Sequence, residues 1–125
     1  MLTNPKRKTT YSTDHYGEWN CDQSGRSNTS PDWDGPGWYR ISPSIGTKIP
    51  ISPTKERYCG TWASGWISGG GSRPGLGQTV NAKVCFVAYG DNCYYNVNVQ
   101  IKRCKDYTLY YLPNTPRCYR GYCVE

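Results

Sequence analysis

The sequence predicts a mainly β fold: a small, disulfide-stapled antiparallel β domain with long loops and at most short helices. Three observations carry this expectation. Seven cysteines occur in 125 residues, against one Met and one Phe. The stretch from Thr79 to Arg103 reads as two runs of β-forming residues around a turn. No segment carries a persuasive helical stripe of apolar residues.

Residues 1–12 are polar, lack periodicity and read as a flexible N-terminal arm; residues 13–125 read as one cysteine-rich β domain. Residues 22–37 are dense in Ser, Asn, Asp, Pro and Gly and predict a long loop. Trp38 to Ile41 is a short strand candidate, stopped by Ser42-Pro43. Pro43, Pro50 and Pro53 make regular structure unfavourable over 43–58. Gly69 to Gly77 predicts a second flexible loop. Thr79–Tyr89 is then a strand, Gly90-Asp91-Asn92 a turn and Cys93–Arg103 the return strand. In the return strand Val97, Val99 and Ile101 alternate with Asn96, Asn98, Gln100 and Lys102. That period of two places aliphatic side chains on one face and amides on the other. Tyr107–Leu112 supplies a third strand, ended by Pro113.

Composition bounds the energetics. Hydrophobic residues make up 36% of the chain, Leu is rare and the large side chains are mostly Tyr and Trp. Aliphatic burial is therefore limited and covalent staples are expected. A bridge from Cys21 to the C-terminal cysteines closes a loop worth roughly 4.7 kcal/mol in the chain-entropy model. Such bonds persist in oxidising compartments, so a secreted, extracellular location is expected. No apolar run approaches a membrane span and no secretory h-region opens the chain, so membrane insertion is not expected. Met1 then reads as an expression start or the edge of a fragment, with a secretory signal upstream.

The net charge of +6 is concentrated in Lys6-Arg7-Lys8 and in Lys102-Arg103 with Lys105. The first run reads as a solvated tail, with a polyanion-binding arm as the alternative; nucleic acid is not expected as a partner. Asn28-Thr29-Ser30 is an N-glycosylation sequon in a turn-rich stretch.

Enzymatic chemistry is hard to assemble. His15 is the one histidine, it lies in a polar stretch, and it reads as exposed. Gly60 to Gly65 lacks the spacing of a nucleophile elbow. The Gly69–Gly77 loop lacks the Lys-Ser/Thr ending of a phosphate cradle. Widely spaced cysteines with one histidine do not suggest zinc. Asp32 and Asp34 are candidate paired carboxylates or calcium ligands, but further oxygen ligands are not evident and a solvated loop is the simpler reading. No catalytic residue, metal or cofactor is expected.

The ordered set Thr13-Asp14, Cys21-Asp22, Gly37-Trp38-Tyr39-Arg40, Cys59-Gly60-Thr61, Trp66, Cys85, Cys93, Cys104, Tyr110-Tyr111-Leu112, Pro116, Cys118 and Tyr122-Cys123 resembles the cysteine-rich decoy domain of uromodulin and the pancreatic zymogen-granule glycoprotein. The resemblance covers about Thr13 to Cys123. It implies the bonds Cys21–Cys118, Cys59–Cys123 and Cys85–Cys93; the last pair also flanks a short hairpin turn. It leaves Cys104 free or bonded to a cysteine upstream or in another chain. Two family cysteines that bond each other are both absent here, at the Ile51-Ser52-Pro53 stretch and at Asn92. The family's glycan-bearing Asn before its penultimate cysteine has no counterpart in Tyr111-Leu112-Pro113.

What remains is a palette of Trp, Tyr, Asn, Asp and Arg, which suits binding: ring faces stack on apolar sugar faces, and amides and carboxylates fix orientation. Trp38 and Trp66 match framework positions and read as core, as do Tyr110 and Leu112. The candidate ligand-binding residues are Asp32, Trp33 and Asp34, Trp62, and Asp91, Asn92, Tyr94 and Tyr95 at the hairpin turn. The expected function is a non-catalytic extracellular recognition domain, lectin-like toward carbohydrate, with a protein-interaction or adhesion module of a larger glycoprotein as the alternative. The expected partner is a glycan or glycoprotein, with homo-oligomerisation as a route to avidity.

Overall fold

The computed structural model describes residues 1–12, 19–69 and 74–125. His15 and the Thr13-Asp14 pair, and part of the Gly-rich loop, lie outside the described residues. Six strands form one mixed sheet: β1 (Gly37–Arg40), β2 (Ala63–Ile67), β3 (Thr79–Ala88), β4 (Asp91–Arg103), β5 (Thr108–Leu112) and β6 (Arg120–Tyr122). Their spatial order is β1-β5-β4-β3-β2-β6. All pairings are antiparallel except β2 with β6. The described helical structure is one 3-10 turn over Pro5–Arg7, capped by the Asn4 side chain.

The alternation read in β4 holds: Val99 and Ile101 are buried while Asn96, Asn98 and Gln100 face solvent. The inner row runs in register from Tyr39 through Tyr110 and Ile101 to Val80. Phe86, Val84, Leu112 and Tyr122 are among the residues that extend this core. The hairpin turns one residue earlier than expected, at Tyr89-Gly90, so Asp91 and Asn92 open β4 instead of forming the turn.

Three bonds staple the sheet to its loops: Cys21–Cys118, Cys59–Cys123 and Cys85–Cys93. These are the pairs the resemblance implies. Cys104 is half-buried and bonded to none of the other six.

The flexible arm expected over residues 1–12 is packed against the sheet. Leu2 is fully buried and its backbone bridges to Arg40 and Ser42. Lys8 bridges to Val124. Arg7, read as part of a solvated basic run, is buried between Asp22 and Asp32. Its Nη1 and Nη2 donate to both oxygens of Asp22 (2.7 Å each), while Nε and Nη2 donate to Asp32 (2.9 and 2.6 Å). Burial alone would lower the Arg7 pKa; the two carboxylates more than offset it and hold the guanidinium above its usual range. Burial would likewise raise Asp32, but hydrogen bonds and charge from Arg7, with the Asn4 and Thr3 N–H groups, bring its carboxyl down to about 2. A charge in the sequence is thus a core element because its counter-charges sit 15 and 25 residues away.

Candidate functional site

The β3–β4 hairpin ends in a two-residue turn in which Tyr89 (φ 52°) and Gly90 (φ 73°) are both left-handed. Paired positive φ values match the right-handed twist of the flanking strands, which is why such turns close tight hairpins. Gly90 adopts that geometry freely, whereas Tyr89 carries a Cβ penalty of roughly 1–2 kcal/mol. A residue held there at a cost is a pointer to function.

The turn is braced from several sides. The Gly90 N–H donates to Glu56 Oε1 (2.9 Å), the Cys93 N–H to Asp91 Oδ1 (2.8 Å), and the Trp66 indole N–H to the Asn92 carbonyl (2.8 Å). Cys85–Cys93 ties the two strands just behind the turn.

On this frame four rings meet edge to face. Trp62 contacts Tyr89 (centroids 5.1 Å), Tyr89 contacts Tyr94 (4.9 Å), and Tyr94 contacts Tyr95 (4.5 Å). Trp62 and Tyr95 are partly buried against the core, while Tyr89 is 70% and Tyr94 46% exposed. The cluster is therefore rooted at both ends and open in the middle. Under Tyr95 lies the buried Arg120 guanidinium, 3.1 Å from the ring centroid. Burial holds Arg120 below the usual guanidinium range, partly opposed by Tyr95. Its Nε and Nη1 find no hydrogen-bond partner among the described residues, and Tyr95, through its ring face and a side-chain hydrogen bond, offsets part of the burial.

The sheet register, the three bonds and the aromatic framework together match a known domain. The family model described as the uromodulin-like domain matches residues 39–124. The chain belongs to that family. This uromodulin-like domain is similar to the pancreatic secretory granule membrane major glycoprotein GP2 of Rattus norvegicus and of Mus musculus, each 33% identical over 94 residues, which is 71% of this chain and 17% of the relative. The protein of the same name from Canis lupus familiaris is 32% identical over 96 residues, 75% of this chain and 18% of the relative. The chain thus spans under a fifth of the length of these relatives. Its three disulfides fit an oxidising compartment. Among the described residues no helix is long and apolar enough to cross a membrane.

The uromodulin-like domain brings together five of the residues singled out in the sequence, Trp62, Asp91, Asn92, Tyr94 and Tyr95, and adds Tyr89. It does not bring Asp32, Trp33 or Asp34 to that site. Trp33 is buried and stacked on Tyr39 (4.8 Å) and Tyr122 (5.8 Å), with its indole N–H donated to Asn114 Oδ1 (3.0 Å). A ring so enclosed presents no free face to a ligand. Asp32 is committed to Arg7, and Asp34 is exposed, its N–H donating to the Tyr39 hydroxyl. The two carboxylates thus do not act as a pair. Asn28 is half-buried, and its carbonyl accepts from the Cys21 N–H.

Trp38 and Trp66 also depart from expectation. Strand β1 turns Tyr39 inward and leaves Trp38 45% exposed on the outer face of the sheet, edge to face with Tyr111 (5.5 Å). Trp66 is half-buried opposite Cys85. Tyr110 and Leu112 are core, as expected. Cys104 lies on the rim of a cavity of about 460 Å³ floored by Ile49, Ile67 and Ile101 and edged by Lys48 and Arg103.

Proposed function

We propose that the domain is a non-catalytic extracellular recognition module that binds carbohydrate, lectin-like, through the hairpin tip. The observation that carries this is the braced aromatic cluster Trp62, Tyr89, Tyr94 and Tyr95, with its two middle rings exposed. Aromatic faces match the C–H faces of a pyranose, and Asp91, Asn92 and Glu56 beside them supply the polar groups that orient hydroxyls. Rings already fixed by a disulfide and by turn hydrogen bonds lose little entropy on binding.

A glycan array tests this. Selective binding that is lost in Tyr94→Ala and Trp62→Ala, with the disulfides and circular dichroism unchanged, supports it. A blank array for a folded protein removes it. A protein-interaction module of a larger glycoprotein is the second reading. It is favoured by the small share of the relatives' length that the chain spans and by the suitability of exposed Tyr and Trp as protein anchors.

A further inference from the structure

The geometry points to a second binding surface on the outer face of the sheet, built for an anionic oligosaccharide. It extends the sugar-binding reading along β4 to the far, Trp38 end of a face whose other end, at Trp66, adjoins the hairpin tip. Four strands contribute one registered row: Trp38 on β1 pairs with Tyr111 on β5, Tyr111 with Gln100 on β4, and Gln100 with Asn81 on β3. At about 4.8 Å per strand the row spans about 14 Å. Along β4, Asn98 and Asn96 continue the face outward from Gln100, and Trp66 lies beyond Asn96 across Cys85. Indoles therefore bracket a field of amides.

The residue choice needs an explanation that packing does not give. Asn is disfavoured in strands, yet Asn81, Asn96 and Asn98 occupy exposed strand positions. The amide interaction described on this face is Gln100 Nε2 donating to Asn81 Oδ1, at a long 3.3 Å. Each amide offers both a donor and an acceptor, which is what a sugar hydroxyl, itself donor and acceptor, requires. Trp38 and Tyr111 offer ring surface at one end.

Charge decides the class of sugar. The neighbouring outward positions carry Lys83, Lys102 and Arg40, and none of the outward positions of β1, β3, β4 or β5 holds a carboxylate. Neither lysine forms an ion pair among the described residues. A chain bearing sulfate groups meets complementary point charges beside the amides. A protein partner fits less well, because the centre of the face is held by the exposed amides of Asn81, Asn98 and Gln100, with the rings at its ends, whereas protein interfaces draw their energy from desolvated anchors near their centre.

The test uses a heparin-derived tetrasaccharide and its desulfated counterpart, titrated into the 15N-labelled protein while the indole N–H signals of Trp38 and Trp62 are followed. The sulfated probe is expected to move Trp38 and leave Trp62 in place, with affinity that weakens as salt rises. Trp38→Ala is expected to weaken binding about tenfold, equivalent to about 1.4 kcal/mol. Asn98→Asp, which puts a carboxylate on the face without touching the core, is expected to weaken it at least as much. Three results would overturn the inference: Trp38 unmoved at millimolar probe, equal affinity for both probes, or unchanged affinity in Asn98→Asp. Capture of a protein partner that persists after its glycans are removed and is lost in Trp38→Ala would overturn it too. The tip reading is judged separately, by whether any array-selected glycan moves Trp62.

Discussion

Replacing Arg7 with Ala tests how the N-terminal segment is held. Arg7 donates five hydrogen bonds, four to Asp22 and Asp32 and one to the Tyr122 carbonyl. Its removal leaves two buried carboxylates without a cation, and breaking a buried pair in this way costs about 3–5 kcal/mol. Residual donors soften the loss: the Tyr122 N–H still reaches Asp22, and the Thr3 and Asn4 N–H groups still reach Asp32. The lower end, about 3 kcal/mol, is therefore expected, out of the roughly 5–15 kcal/mol a domain has in total. With a urea m-value of about 1–3 kcal/mol/M, the midpoint falls by about 1 M or more. Lys8→Ala, at an exposed neighbour, is expected to change stability by less than about 0.5 kcal/mol. Because the Asp32 carboxyl is depressed to about 2, its contribution is fully present above the unfolded-state value near 3.8 and is lost as pH falls through about 2. The gap between wild type and Arg7→Ala should narrow over that window. An Arg7→Ala protein whose midpoint matches Lys8→Ala would refute the reasoning.

Four further outcomes follow from the geometry. Tyr89→Asn relieves a left-handed penalty of about 1–2 kcal/mol but removes two edge-to-face contacts worth about 0.5–1.5 kcal/mol each, so stability should change by less than about 2 kcal/mol while glycan binding at the tip is lost; a larger loss would contradict the turn assignment. Gly65→Ala should destabilise by about 1–3 kcal/mol in chemical denaturation, because a Cβ there would lie 2.9 Å from the Phe86 ring and 3.1 Å from the Gly121 carbonyl oxygen. Trp33→Ala should cost about 3–5 kcal/mol as a core truncation, not as a selective loss of ligand. Mass spectrometry of the native protein should find Cys104 outside the three intrachain bonds; a bond from Cys104 to any of the other six would contradict the pairing.

The hairpin is the most legible part of the sequence, because strict alternation from Asn96 to Lys102 fixes faces without tertiary information. Strands β2 and β6 are not legible. Ala63–Ile67 holds Ser and Gly where a strand is expected to hold β-branched residues, and Gly65 is there because Phe86 and Val84 fill the space. Arg120–Tyr122 is three residues long, too short for any period to show. The N-terminal segment misleads because local polarity describes Lys8 well and Arg7 badly; only its distant acids distinguish Arg7. Trp33 and Trp38 exchange roles for a related reason. A turn-rich neighbourhood suggests exposure for Trp33, yet Tyr39 and Tyr122 enclose it. The alternation of Trp38 and Tyr39 on one strand requires one of them to face out, a signal present in the sequence but outweighed by the framework match. Tyr89 escapes a reading that places the turn one residue late; a Gly at the second position of a two-residue loop is the signal that points to it.

The most direct measurement is an NMR titration of the oxidised protein with a glycan selected by array, reading the Trp62 indole and the Tyr89 and Tyr94 ring signals together. The braced-tip account predicts that all three shift along one saturable curve, with Trp33 silent. Saturable binding that leaves those three signals unmoved would contradict it.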